Sequence, residues 1–123
     1  MIIIIAEMKF QSVNDRDHVL KEWMASEVES HKEPGIIEYR SAIDLHDPLL
    51  MHVLEIFTSE EALITHHASQ HMKTLASKIG HIKTEVIAKA FQGDLTPFDL
   101  GKLITPGTFS GERGNSAISV TVA

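Results

Sequence analysis

The sequence predicts an α+β fold: a four-stranded antiparallel sheet with two helices on one face. Three observations predict it. Ile2 to Phe10 is a β-branched run too short for a typical helix. Apolar residues recur at helical spacing after Asn14 and again after Glu60. Between those stretches, two apolar segments flank the turn His46-Asp47-Pro48.

Element by element, Ile2 to Phe10 is the first strand. Ser12 to Asp17 is polar, and Asn14 is the expected N-cap of the first helix. Its apolar positions are Val19/Leu20, Trp23/Met24 and Val28, with charges opposite. Glu33-Pro34-Gly35 stops it, because proline cannot continue a helix and glycine allows the turn. Ile36 to Asp44 and Leu50 to Phe57 are strands two and three, and their short connection makes them a hairpin. Thr58 or Ser59 caps the second helix, with Glu60 and Glu61 in the first turn, where the helix dipole favours carboxylates. That helix is expected to run to Gly93-Asp94, with an irregularity at Ser69-Gln70 and a candidate break at Gly80. A fourth strand is then expected from Thr96 to Ile104; Val86 to Gln92 is the alternative, which periodicity does not settle. Pro106 to Asn115 reads as a loose tail, and Ala117 to Val122 alternates like one more strand. We therefore take residues 1–105 as the domain and 106–123 as a C-terminal tail. The order β-α-β-β-α-β is the split βαβ pattern of a ferredoxin-like fold.

Composition narrows the function. A chain of 123 residues fits one domain. It holds no cysteine, which excludes disulfides, thiolate metal sites and cysteine nucleophiles. A formal net charge of -6 repels phosphate backbones, so no nucleic-acid partner is expected. No Lys/Arg cluster suggests a membrane surface, and the apolar Met1 to Ala6 run is too short to cross one. The expected location is cytoplasmic.

Both faces of the sheet are apolar. Ile3 and Ile5 oppose Ile2, Ile4 and Met8; Leu54 and Ile56 oppose Met51, Val53 and Phe57. Two helices cover one face only. The other would be a large exposed apolar patch, which soluble monomers avoid. A second copy packed face to face is the simplest cover, so a homodimer is expected.

The chemistry-bearing residues cluster in one helix. Eight histidines is a high count for this length, and His66, His67 and His71 lie close together. On an unbroken helix His67 and His71 share a face, while His66 and His71 stand about 140° apart. A break at Ser69-Gln70 would let His66 and His71 converge. Imidazole titrates near neutrality and can take a proton from a weakly acidic substrate. The bland alternative is surface or satisfied core histidines. Tyr39, the only tyrosine, lies mid-strand with Ile37 and Ile43 on its face; it could position a substrate oxygen or simply pack. Glu55 lies among Val53, Ile56 and Phe57, where a carboxylate must be paired or raised in pKa. Trp23 and Phe91 read as core, and Glu27, Glu29, His31, Lys32 and Glu33 as a solvated face. A zinc set of His67, His71 and Glu55 is a sharper alternative, but the His-Glu-x-x-His pattern is absent and no metal is expected.

Several of these stretches together resemble a known family. Glu33-Pro34-Gly35, Tyr39, Asp44 and Asp47-Pro48 are similar to the "EPG…Y…D…P" stretch of antibiotic biosynthesis monooxygenase domains. Glu55-Ile56-Phe57 resembles their "E-x-W" strand, with phenylalanine for tryptophan. Ser59 to Lys73 resembles their helix with two histidines, here His66 and His71, with Gln70 where proline is common. The similarity covers about residues 2 to 80. It implies a dimeric α/β barrel with a pocket between sheet and helices. It also implies a monooxygenase that needs no flavin, haem or metal and acts on a small hydroxylated aromatic or quinol with O2. By the same resemblance His66 and His71 would move protons, and Tyr39, Glu55, Phe57 and His67 would contact substrate. The scaffold also hosts isomerases of small phosphorylated keto compounds and haem-degrading enzymes. A purely binding or structural dimer is a second class beside these enzymes.

Overall fold

The isoleucine-rich N-terminus does form a strand, and it becomes the spine of the sheet. In the computed structural model, which describes residues 1–94 and Thr96, β1 (Ile2–Phe10) is followed by α1 (Val13–Ser30), β2 (Ile36–Ile43) and β3 (Leu50–Phe57). Two helices come next, α2 (Glu60–His67) and α3 (Gln70–Ile79), then β4 (Thr84–Gln92). The sheet is antiparallel in the order β2-β3-β1-β4. This is the ferredoxin-like α+β arrangement, built as an open sheet. Among the described residues no helix is long and apolar enough to cross a membrane.

Strand alternation sorts the two faces. Ala6, Met8 and Phe10 of β1, Met51 and Val53 of β3 and Tyr39 of β2 are buried, and they meet Val19 and Trp23 of α1 and Leu75 of α3; Phe57 of β3 is buried against His66. The opposite face carries Ile3, Ile5, Leu54, Ile56, Ile87 and Phe91 by register, and Ile5, Ile87 and Phe91 are exposed. Phe91 is thus not core: it stands on the open face of β4.

Several boundaries differ from the sequence expectation. Ser12, not Asn14, caps α1, its Oγ accepting from Asp15 N at 3.1 Å. A β-bulge between Ile36 and Glu38 turns Ile37 outward and gives Ile36 the inward place opposite Phe57, on the face of Tyr39. The long second helix is two helices. Ser69 breaks it, donating its hydroxyl to His66 O at 2.6 Å and capping α3 through Met72 N at 3.4 Å. The helix does not reach Gly93. It ends at Ile79 with Gly80 as C-cap, and the alternative strand is the one that forms. Thr84, Val86, Ile87 and Phe91 favour extended backbone, and all nine residues of β4 pair with β1, from Ile2↔Gln92 to Phe10↔Thr84. The expected strand from 96 to 104, the domain limit at 105 and the added strand from 117 to 122 lie outside the described residues, Thr96 apart.

Candidate functional site

The site starts from the end of α1. The turn after Ser30 is tight: Glu33 N donates to Ser30 O at 3.0 Å and Ile36 N to Glu33 O at 3.3 Å. Gly35 then passes so close to α2 that a Cβ there would stand 2.5 Å from Ala62 Cβ. This approach brings the Glu33 side chain to the junction of α2 and α3, where its carboxylate meets two imidazoles.

His66 Nδ1 lies 2.7 Å and His71 Nε2 3.0 Å from Glu33 Oε2. A carboxylate only accepts, so both ring nitrogens donate to it. The break at Ser69 makes this convergence feasible, since an unbroken helix would hold the two rings apart. Ser69 Oγ also lies 3.2 Å from His71 Nε2. Glu33, expected on a solvated face, instead turns inward, and its side chain is only 15% exposed. The motif that carries it, Glu33-Pro34-Gly35, was visible, but spacing along α1 could not show that the turn folds the carboxylate inward.

With Nδ1 donating, the lone pair of His66 is on Nε2. His66 is fully buried, with its ring against Tyr39 and Phe57, both at 5.4 Å between centroids. Neither His66 Nε2 nor the Tyr39 hydroxyl has a hydrogen-bond partner among the described residues. Buried polar atoms are almost always paired, so an orphaned acceptor beside an orphaned hydroxyl is a strong sign of a site. Tyr39 faces Glu55 across the β2–β3 ladder, and its hydroxyl has Glu55 and Ser30 nearby without closing a good hydrogen bond to either.

Burial sets the protonation of these groups. Desolvation lowers the His66 pKa, opposed by the hydrogen bond and charge of Glu33. Desolvation raises Glu55 to about 7. It also pushes Tyr39 up, with the charges of Glu55, Glu27 and Glu33 adding to the effect. The cluster therefore offers a neutral imidazole base, a phenol that keeps its proton, and a carboxyl poised near neutrality.

The expected site residues divide in two. Tyr39, Glu55, Phe57 and His66 form one buried cluster, and Glu33 ties His71 to it. His67 is exposed, with its ring 5.7 Å from that of His66. Among the described residues the zinc set expected from the sequence, His67 and His71 with Glu55, does not assemble; instead the donor atoms of Glu33, His66 and His71 all lie within 4.8 Å of one another. Among the described residues, neither of two grooves brings them together. A groove of about 390 Å3 between α1 and α3 has His71, Ser26 and Glu29 in its wall, and one of about 430 Å3 runs along Trp23, Val28 and Ile43. His66 lines neither. On the helix-side face of the sheet, Ile4 pairs with both Glu55 and Ala90, and Ala88 and Ala90 are exposed, leaving a shelf of small apolar residues beside Glu55.

Residues 1–78, well over half of the chain, match the family described as antibiotic biosynthesis monooxygenase. No curated protein matches. Among solved structures, a candidate antibiotic biosynthesis monooxygenase from Deinococcus radiodurans aligns with a TM-score of 0.69 at 18% identity, over 78% of this chain and 95% of that one. A further antibiotic biosynthesis monooxygenase aligns at 0.66 and 22% identity, covering 76% of this chain and 99% of that one. SnoaB, a cofactor-independent oxygenase from Streptomyces nogalater, aligns at 0.64 and 8% identity, over 77% and 94%. At these identities the likeness is one of fold.

Proposed function

The chain belongs to the antibiotic biosynthesis monooxygenase family, and from that premise we propose that it oxidises a small hydroxylated aromatic of the quinol type with O2 and without a cofactor. The observation that carries the proposal is the buried His66, anchored through Nδ1 on Glu33 with Nε2 unpartnered beside Tyr39.

A carboxylate behind an imidazole fixes its tautomer and orients the free nitrogen toward the proton to be taken. The substrate ring approaches over the shelf of Ile4, Ala88 and Ala90 beside Glu55, and Tyr39 and Phe57, which pack on the buried His66, part to admit it. His66 Nε2 takes the phenolic proton, and Tyr39 donates a hydrogen bond to the oxygen that is left. The phenolate pushes electron density onto a ring carbon that bears hydrogen. A C–O bond forms there with O2, the O–O bond breaks, and the second oxygen leaves as water. The ring becomes a quinone and supplies all four electrons that O2 requires. An apolar, water-poor surrounding favours this course by keeping the anion unsolvated. An isomerase of a phosphorylated keto compound would use a similar base, but Glu27 and Glu33 place negative charge near Tyr39, which repels a phosphate.

The same reading includes a homodimer, supported by the exposed Ile5, Ile87 and Phe91 on the face the helices leave open. The test is oxygen uptake with a panel of hydroquinones and polycyclic phenols. Wild type is expected to consume O2 with at least one of them. Glu33→Gln should lower the rate by roughly 10²-fold and His66→Gln by at least as much. Equal slow uptake by wild type and His66→Gln with every substrate would remove the proposal.

A further inference from the structure

We propose that Glu33, His66 and His71 form a binding site for a divalent transition-metal cation of the zinc class, and that filling it switches the base off. The metal site stands on geometry alone; only the inhibitory consequence rests on reading His66 as the base.

The donor set is two imidazole nitrogens and one carboxylate oxygen, all within 4.8 Å of one another. Zinc holds such ligands at about 2.0–2.2 Å in a tetrahedron, which separates the donors by roughly 3.3 Å. Here the two nitrogens already stand 2.7 and 3.0 Å from Glu33 Oε2. Opening each contact by a few tenths of an ångström makes room for the ion, with the fourth position left to water. Three elements supply the ligands: the turn after α1, the end of α2 and the start of α3. They are held by backbone hydrogen bonds at Ser30 and at the Ser69 cap, so the set is preorganised. A second observation points the same way. His66 is fully buried and its other nitrogen is unpaired, so its ring is not already committed on both sides.

An ion also has a way in. His71 lies in the wall of the groove between α1 and α3, which carries the carboxylates of Glu22 and Glu29. Glu22 is paired with Lys78 at 3.3 Å and Glu29 with Lys32 at 2.9 Å; the Glu29 pair is exposed and so holds only weakly against a competing cation.

The consequence follows from the chemistry of imidazole. A metal on His66 Nδ1 needs the lone pair of that nitrogen, so the ring proton moves to Nε2. Nε2, the unpartnered acceptor of the metal-free ring, becomes a donor and cannot take a proton. His71 makes the corresponding shift, giving up the proton on Nε2 for one on Nδ1. No net proton is gained or lost within the pair of rings, and chelation of the metal returns both to their first state. The expectation from sequence that no metal binds this chain is what this proposal departs from.

The experiment uses the full-length protein and Zn2+ or Co2+ alone as probe. Isothermal titration with Zn2+ is expected to give one ion per chain, with affinity at least 10-fold weaker in His71→Ala and in Glu33→Gln and unchanged in His67→Ala. His71 and Glu33 are partly exposed and lie outside the apolar core, so these variants avoid emptying it; circular dichroism checks that each is folded. Co2+ should give visible absorption of a four-coordinate site in wild type and lose it in His71→Ala. Binding that is non-stoichiometric at tens of micromolar, or equal in wild type and both folded variants, overturns the site. Where an aromatic substrate is turned over, Zn2+ should inhibit reversibly, with a chelator restoring the rate in wild type. Inhibition of equal strength in His71→Ala would overturn the switch. Stoichiometric Zn2+ binding without any oxygen uptake would leave the site standing and remove the monooxygenase reading instead.

Discussion

At the scale of the residue, Glu55 is the group most at odds with its surroundings. It is buried on the inner face of the sheet, opposite Ile4 and Tyr39 rather than a cation. Desolvation lifts its pKa to about 7, so the folded protein prefers it protonated. Below the ordinary value both folded and unfolded chains hold the proton. As pH rises toward 7 the unfolded chain loses it first, so stability falls, and above about 7 the loss is complete. A shift of this size corresponds to about 3 kcal/mol. Glu55→Gln should flatten this dependence and be the more stable protein at pH 8, which urea unfolding at pH 5 and pH 8 measures; a parallel pH dependence in both proteins would refute it. Glu55 and Tyr39 were legible in the sequence as polar groups on apolar strands. Glu33 was not, because nothing in a run of charges along α1 shows which one the following turn folds beneath its neighbours.

At the scale of the element, the breaks at Ser69 and Gly80 were both foreseen as candidates, but the helical region was expected to run on to Gly93. The break at Ser69 was legible, since serine competes with the helix backbone and caps the helix that follows. The end of the helical region was not. Residues after Gly80 carry apolar side chains that fit either period, and only pairing with β1 along its whole length decides for a strand. The Gly35 turn does the most for the site, since it lets β2 start against α2 and carries Glu33 inward. Gly35→Ala should cost about 1–3 kcal/mol, because the added methyl meets Ala62 Cβ at 2.5 Å. The comparison is by thermal or chemical unfolding; a loss below about 0.5 kcal/mol would mean that the turn relaxes freely. The same substitution should lower activity along with stability, because Glu33 moves with the turn.

At the scale of the whole molecule, the ferredoxin-like order was legible because strand alternation, helix spacing and turn residues agree with one another. Partner and chamber were harder to read. A face with Ile5, Ile87 and Phe91 exposed calls for a cover. We expect wild type to sediment as a dimer at micromolar concentration and Ile5→Lys as a monomer, since a charge on that face must be desolvated on association. Sedimentation velocity distinguishes them, and a monomeric wild type would withdraw the dimer. Within each subunit, sheet, turn and broken helix together present one nitrogen as a base. The most direct measurement is the tautomer of His66, read by two-bond proton–nitrogen correlation NMR of its imidazole at neutral pH. The account predicts a proton on Nδ1 and a bare Nε2; a ring protonated on Nε2 with Nδ1 bare would contradict it.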